Sequence, residues 1–250
     1  MEVIGLTIKA KILKMQQKMT SGQVKFAALN SKCQTCKGVG WIIEDDVAID
    51  RCDCLKQQIQ QNLLKNSMLN ETFKHKKFQD YKPRNQKQEE MLQMAINYTI
   101  NYHEIKGDRS NGMALLGSVG IGKTHLLASI TNELAFQGHK VLFIDTTSFI
   151  KELRDSIKQD NMSQHLEKVK DCEILILDDL AKEKVTEWVQ EQYYYIINHR
   201  YNTGKPLLYS SNCTMTEIEK LLGDATASRL YAITKERLVH VEDKDYRLIE

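Results

Sequence analysis

The run Gly117-Ser118-Val119-Gly120-Ile121-Gly122-Lys123-Thr124 has the spacing G-x-x-x-x-G-K-[ST] and lies between two apolar segments. Before it, Met113-Ala114-Leu115-Leu116 is short and wholly apolar, as a parallel strand buried on both faces requires. After it, Leu126-Leu127-Ala128-Ser129-Ile130 reads as a helix. Strand, glycine loop and helix in that order build one unit of an α/β sheet and leave few other folds open. The residue types then point to the ligand. Gly117, Gly120 and Gly122 let the backbone turn tightly, so that its N–H groups converge on phosphate oxygens. Lys123 brings a point charge to the β and γ phosphates, and the Thr124 hydroxyl can coordinate Mg²⁺. A helix N-terminus adds its dipole to the attraction. The expected ligand is a nucleoside triphosphate with Mg²⁺.

A second segment, Glu173-Ile174-Leu175-Ile176-Leu177-Asp178-Asp179, repeats the logic. Four apolar residues predict another buried strand, and two carboxylates stand at its C-terminal end. In an open α/β sheet the ligand crevice lies outside those ends. Asp178 is the candidate Mg²⁺ holder. Asp179, one residue on and pointing differently, is the candidate for orienting or deprotonating an attacking water. An acidic pair opening a surface loop is the alternative, and the phosphate loop upstream weighs against it.

At 250 residues the chain has room for one sizeable domain and a small one. No apolar run approaches the roughly 18 residues that span a membrane, and Lys9 and Lys11 interrupt the apolar N-terminus where a secretory signal would need continuity. Six cysteines in such a chain point to a reducing, cytoplasmic setting. Two prolines predict few rigid loops and a helix-rich fold. Charge is uneven: residues 1–90 carry 16 Lys and Arg against 10 Asp and Glu, whereas residues 91–250 carry 19 against 23. A basic N-terminal part suits nucleic acid, an acidic protein partner or a solvated helix face.

Residues 1–30 carry Ile8, Ile12, Met15 and Met19 at near-helical spacing, predicting an amphipathic helix. A second helical pattern runs from Leu55 to Leu69. Residues 70–87 are polar and read as a linker, and a helix near Gln88–Tyr102 opens the α/β part. Between the first two helices, Cys33-x-x-Cys36 and Cys52-x-Cys54 form a candidate Zn²⁺ site, since thiolates are soft donors for a tetrahedral ion. A hairpin between Val39 and Ile49 would bring the pairs together. Four unrelated reduced thiols are the alternative; a redox pair lacks the surrounding βαβ pattern. Cys172 and Cys213 read as small buried core residues.

From about residue 72 onward the chain resembles AAA+ ATPases of the DnaC/DnaI type, which load replicative helicases, and the related ATPase subunits of insertion-sequence transposition. The resemblance rests on the phosphate loop, Leu175–Leu180, Glu187–Gln192, Ile196–Tyr201, Ser210-Ser211-Asn212, Ala227-Ser228-Arg229-Leu230 and Asp245-Tyr246-Arg247. It implies ATP as the nucleotide, Asn212 as a sensor that positions the hydrolytic water, and Arg229 as a finger reaching a neighbouring subunit's nucleotide. Arg247 would be a second sensor in its own subunit. A finger makes hydrolysis depend on assembly, because a monomer lacks that charge in the transition state. Three departures stand out. Asp179 replaces the Glu common among AAA+ proteins, although Asp-Asp is usual in the loader group. The zinc ligands would all be Cys, where related loaders can include a His. The chain stops at Glu250, so no full helical lid domain is expected after the sheet.

The fold expected is a doubly wound parallel-sheet AAA+ ATPase domain (88–250) behind a linker (71–87) and a small Cys-rich N-terminal helical module (1–70). The function expected is an ATP-dependent loader of the hexameric replicative helicase. It would contact single-stranded DNA, form a homo-oligomer with ATP, have no membrane association and hydrolyse ATP slowly. The competitors are a transposition ATPase that binds DNA and recruits a transposase, and a binding protein whose nucleotide site is structural and inactive.

Overall fold

The computed structural model describes residues 33–44, 47–157 and 162–243. The helix expected within residues 1–30 and the candidate sensor Arg247 lie outside the described residues. The chain divides into two units, Met1–Asn62 and Leu63–Glu250.

In the first unit, β1 (Trp41–Glu44) and β2 (Val47–Arg51) pair antiparallel, with an irregularity between Ile42 and Ile43. This is the hairpin expected between the cysteine pairs. Helix α1 (Asp53–Lys65) begins one residue after Cys52, whose carbonyl accepts the amides of Leu55 and Lys56. Its start is therefore set by the hairpin's last turn.

In the second unit, five short runs assemble into one parallel sheet: β3 (Met113–Gly117), β4 (Val141–Asp145), β5 (Ile174–Asp178), β6 (Leu207–Ser211) and β7 (Leu238–Val241), in the lateral order β4-β5-β6-β3-β7. Every pairing is parallel. Strand residues alternate between two cores, as the period of two demands. Met113 and Leu115 join Ile174 and Ile176 on one face, whereas Ala114 and Leu116 join Leu175 and Leu177 on the other. The first face is covered by α2 (Gln86–Ile100), with the short α3 (Tyr102–Ile105) after it, and by α4 (Lys123–Phe136). The second is covered by α5 (Thr146–Ile157), α6 (Met162–Asp171), α7 (Glu187–Thr203), α8 (Met215–Leu222) and α9 (Asp224–Thr234). Helices on both faces make the sheet doubly wound. The strands expected at Met113–Leu116 and Ile174–Leu177 each extend one residue further, whereas the Leu238-Val239-His240-Val241 of β7 is too short and mixed to stand out, and its exposure alternates as at a sheet edge. Residues 71–80 form two 3₁₀ turns, and Phe73 and Phe78 pack against the first core. Among the described residues, no helix is long and apolar enough to cross a membrane.

Helix α7 carries a fully buried cation. Arg200 donates through Nη1 to the carbonyls of Lys170 (3.2 Å) and Cys172 (3.0 Å), and through Nη2 to those of Glu173 (3.0 Å) and Pro206 (2.5 Å). It thereby ties the end of α6 to the entries of β5 and β6. Arg200→Met keeps the apolar stem and removes the side-chain donor from these carbonyls, of which Pro206 retains the Leu175 amide. Unpaired buried acceptors cost about 1–3 kcal/mol each, so a net loss of about 3 kcal/mol is expected in urea unfolding. A loss under about 1 kcal/mol would show that the carbonyls find other donors.

Candidate nucleotide site

The phosphate loop leaves the C-terminal end of β3, between β6 and β7. Its first glycine is demanded by packing: Gly117 has φ +127°, and a Cβ there would collide with the backbone of Val241 on β7. Helix α4 then starts at Lys123 with Gly122 as its cap, in the left-handed region and with no side chain bonded to the first amides. Those uncapped N–H groups suit an anion. Lys123 is buried, and its ammonium donates to the carbonyls of Gly117 (2.7 Å) and Ser118 (2.8 Å) and to Asn212 Oδ1 (2.8 Å). A phosphate entering the loop competes with these neutral acceptors for a cation already in place. Loop, helix start and ammonium together fit a polyphosphate.

The strand ends bring the acidic groups to the same place. Thr124 Oγ1 donates to Asp178 Oδ1 at 3.1 Å, and Ser210 Oγ, from the neighbouring β6, donates to the same oxygen at 2.6 Å. Thr124 and Asp178, the expected Mg²⁺ pair, are thus in contact. A hydroxyl and a carboxylate are hard oxygen donors, the set Mg²⁺ takes. Asp179 turns away, with φ +59°, a conformation few non-glycine residues adopt. Its amide donates to Ser210 Oγ (2.9 Å), its carbonyl accepts from Thr146 Oγ1 (2.8 Å), and its carboxylate pairs with Lys182 (2.6 Å). Such over-determination is what holds a strained residue at a functional site. The sequence gives no role to Ser210, Thr146 or Lys182; only strand adjacency makes Ser210 a partner of Asp178.

Arg229 is held on the α7–α9 face. Its Nε donates to Asn198 Oδ1 (2.8 Å), its Nη1 to the Ala225 carbonyl (2.7 Å), and its guanidinium lies 5.1 Å from the Tyr194 ring. The structure therefore joins Gly117–Thr124, Asp178 and Asn212 in one cluster, with Asp179 beside it, and places Arg229 on another surface.

In the first unit the four sulfurs of Cys33, Cys36, Cys52 and Cys54 all lie within 4.8 Å of one another. Cys33 and Cys52 are 3.7 Å apart, Cys36 and Cys54 3.4 Å. A tetrahedral ion with Zn–S bonds of about 2.3 Å sets sulfurs roughly 3.8 Å apart, so the donor set fits Zn²⁺. The tight Cys52-x-Cys54 spacing works because Cys52 ends the hairpin and Cys54 lies in the first turn of α1. Backbone hydrogen bonding from Cys36 pulls the Cys33 thiol down to about 6.

A phosphate loop on a sheet strand that lies between its neighbours, with paired carboxylates two strands away and an asparagine just past the strand between, defines a nucleotide-binding domain of the AAA+ class. The chain belongs to the family of the bacterial DnaA ATPase domain, whose model matches residues 87–232. It is 27% identical over 227 residues to the phage-like element PBSX protein XkdC of Bacillus subtilis, covering 86% of this chain and 84% of that protein. It is 28% identical over 165 residues to the replicative helicase loader DnaI of the same organism, covering 66% of this chain and 52% of the loader, about half its length. Its fold matches the crystal structure of the DnaC helicase loader with a TM-score of 0.61 at 24% identity, over 69% of this chain and 99% of that one.

Burial, with Asp179 close by, pushes the Asp178 carboxyl up to about 6, against the hydroxyls of Ser210 and Thr124. Burial likewise pulls the Lys123 ammonium down to about 8. Both charged forms are disfavoured in the free protein. For an acid raised above its ordinary 3.8, stability is fully present below that value and is lost as pH rises through about 6. Asp178→Asn removes this dependence. In metal-chelated buffer the variant should be the more stable at pH 7.5, by up to about 3 kcal/mol, the gap narrowing toward pH 4.5. This window lies below the titration of Lys123. Urea unfolding at the two pH values checks it; a gap independent of pH would overturn the assignment.

Proposed function

We propose that this chain is an ATP-dependent loader that delivers a hexameric replicative DNA helicase onto DNA, with ATP as an assembly and release switch. The observation that carries the reading is the convergence of Lys123, Thr124, Asp178 and Asn212 at one point, in a chain whose N-terminal unit gathers four cysteines. Its likeness to DnaI supports the same reading. Mg²⁺, when bound, supplies positive charge to the β and γ phosphates. Gly117–Thr124 hold the triphosphate, with Thr124 and Asp178 as the residues for the metal. Asn212 Oδ1 holds the Lys123 ammonium in position and faces the place where a hydrolytic water is oriented. Asp179 polarises that water. Its short side chain, already paired with Lys182, makes hydrolysis slow. Arg229 acts on a neighbouring copy, so that hydrolysis follows homo-oligomer assembly, and single-stranded DNA meets the basic surfaces. The Cys-rich unit binds Zn²⁺ and recognises the helicase. The setting is cytoplasmic.

Native mass spectrometry of the full chain with the replicative helicase of its source cell, with and without ATP and Mg²⁺, tests this. A nucleotide-dependent complex supports the loader; ATP-dependent filaments on DNA with no helicase complex would move the assignment to a transposition ATPase. Lys123→Ala should weaken ATP binding about tenfold to a hundredfold, as loss of a charge-assisted contact does. Arg229→Ala should keep ATP binding and lose kcat in the assembled state by a factor on the order of 10³. Equal kcat in variant and parent would sink the finger.

The same spectra should show one Zn²⁺ per chain. Cys52→Ser should lower metal occupancy and open the first unit to proteolysis while nucleotide binding persists. A chain carrying no zinc, with an equally resistant first unit, would leave the four sulfurs as reduced thiols.

A further inference from the structure

A strap of residues 67–81 leads from the end of α1 to the phosphate loop, anchored at each step by polar contacts. Ser67 accepts the amide of Phe143 on β4 at 2.7 Å. The Asn132 side chain on α4 donates to the carbonyls of Phe73 (3.0 Å) and Lys76 (2.8 Å). His125 Nε2 lies 2.9 Å from the Lys77 carbonyl. Tyr81 ends the strap on the loop itself. Its hydroxyl donates to the Ile121 carbonyl at 2.8 Å, its ring meets that of His125 at 5.8 Å, and its side chain is buried. Burial pushes the phenol well above its ordinary range, so it stays a donor at any working pH.

The consequence lies in one peptide group. A trans peptide is planar, so its C=O and N–H point in opposite directions. A hydroxyl that holds the Ile121 carbonyl toward the strap therefore turns the Gly122 N–H away from it. That N–H belongs to the cap of α4, among the amides an anion would use. The ring also sets the residue type here: a Cβ on Gly122 would sit 2.5 Å from Tyr81 Cε2, and φ is +89°. The glycine that the turn needs is also what admits the tyrosine.

We infer that Tyr81 is a positioning residue of the nucleotide site, whose hydroxyl orients the Ile121–Gly122 peptide so that the Gly122 N–H is presented to a phosphate. The inference rests on the reading of the loop as a triphosphate site. Residues 71–81, polar and loop-like in sequence, thereby become part of the binding machinery. The preorganisation comes from a segment distant from the loop in sequence, which a motif cannot reveal.

The test is Tyr81→Phe in the full chain, with mant-ATP and Mg²⁺ titrated against parent and variant well below their unfolding temperatures. Binding by the variant should be about fivefold to tenfold weaker, and hydrogen exchange at Gly122 should be faster in the nucleotide-free variant and slow again on saturation. A merely structural role would lower Tm and leave Kd within twofold of the parent, which overturns the inference. A parent that itself fails to bind mant-ATP would overturn the triphosphate reading, and the role of Tyr81 with it.

Discussion

A buried ammonium without a direct carboxylate partner organises this molecule. Lys123 is 5% exposed, and all three of its hydrogen bonds go to neutral oxygens: two loop carbonyls and the Asn212 amide. Burying a cation this way is costly, and the cost appears in the lowered proton affinity of the group. The nearby carboxylates of Asp179 and Asp178 act the other way and keep it charged at neutral pH. Because one acceptor, on Asn212, lies just past β6 and the other two, on Gly117 and Ser118, lie at the end of β3 and just beyond it, the ammonium is the link between adjacent strand ends. The sheet order makes that link possible, since β6 lies directly between β3 and β5.

The acidic side of the site carries the opposite cost. Asp178 is buried with two hydroxyl donors on the same oxygen, and Asp179 spends backbone strain to stand where it does. A protein built only for stability would have an uncharged pair here. Charges held in unfavourable surroundings are what a charged ligand relieves: phosphate oxygens for the ammonium, a divalent cation for the carboxylate. The site is thus a store of unfavourable electrostatics that a ligand of matching charge would relieve.

Much of this was legible in the chain. Met113–Leu116 and Ile174–Leu177 announce themselves as buried strands because both faces of a doubly wound sheet are covered, so their apolar runs are unbroken. The phosphate loop is local, with its function written in eight consecutive residues. What escaped is non-local. Ser210 reads as a polar strand end until the parallel register places it against Asp178. Tyr81 lies 40 residues before Ile121, in a stretch whose lysines suggest a solvated linker. The strand Leu238–Val241 has one neighbour and half its residues wet, so its pattern is weak. Periodicity reports burial of an element; it does not report which distant atoms an element will meet.

The N-terminal unit follows a different rule. Its hairpin leaves Trp41, Ile43, Val47 and Ile49 exposed, while Cys36 and Cys52 are among its most buried side chains. Apolar groups that remain in water contribute little to cohesion, and a hairpin of four- and five-residue strands is marginal by itself. Among the described residues of this unit the four sulfurs are the gathered, buried cluster, and a metal ion held there would supply folding free energy. Such an arrangement frees the hairpin's apolar side chains for another surface. A module stapled from within can present apolar groups outward at little cost to its own stability.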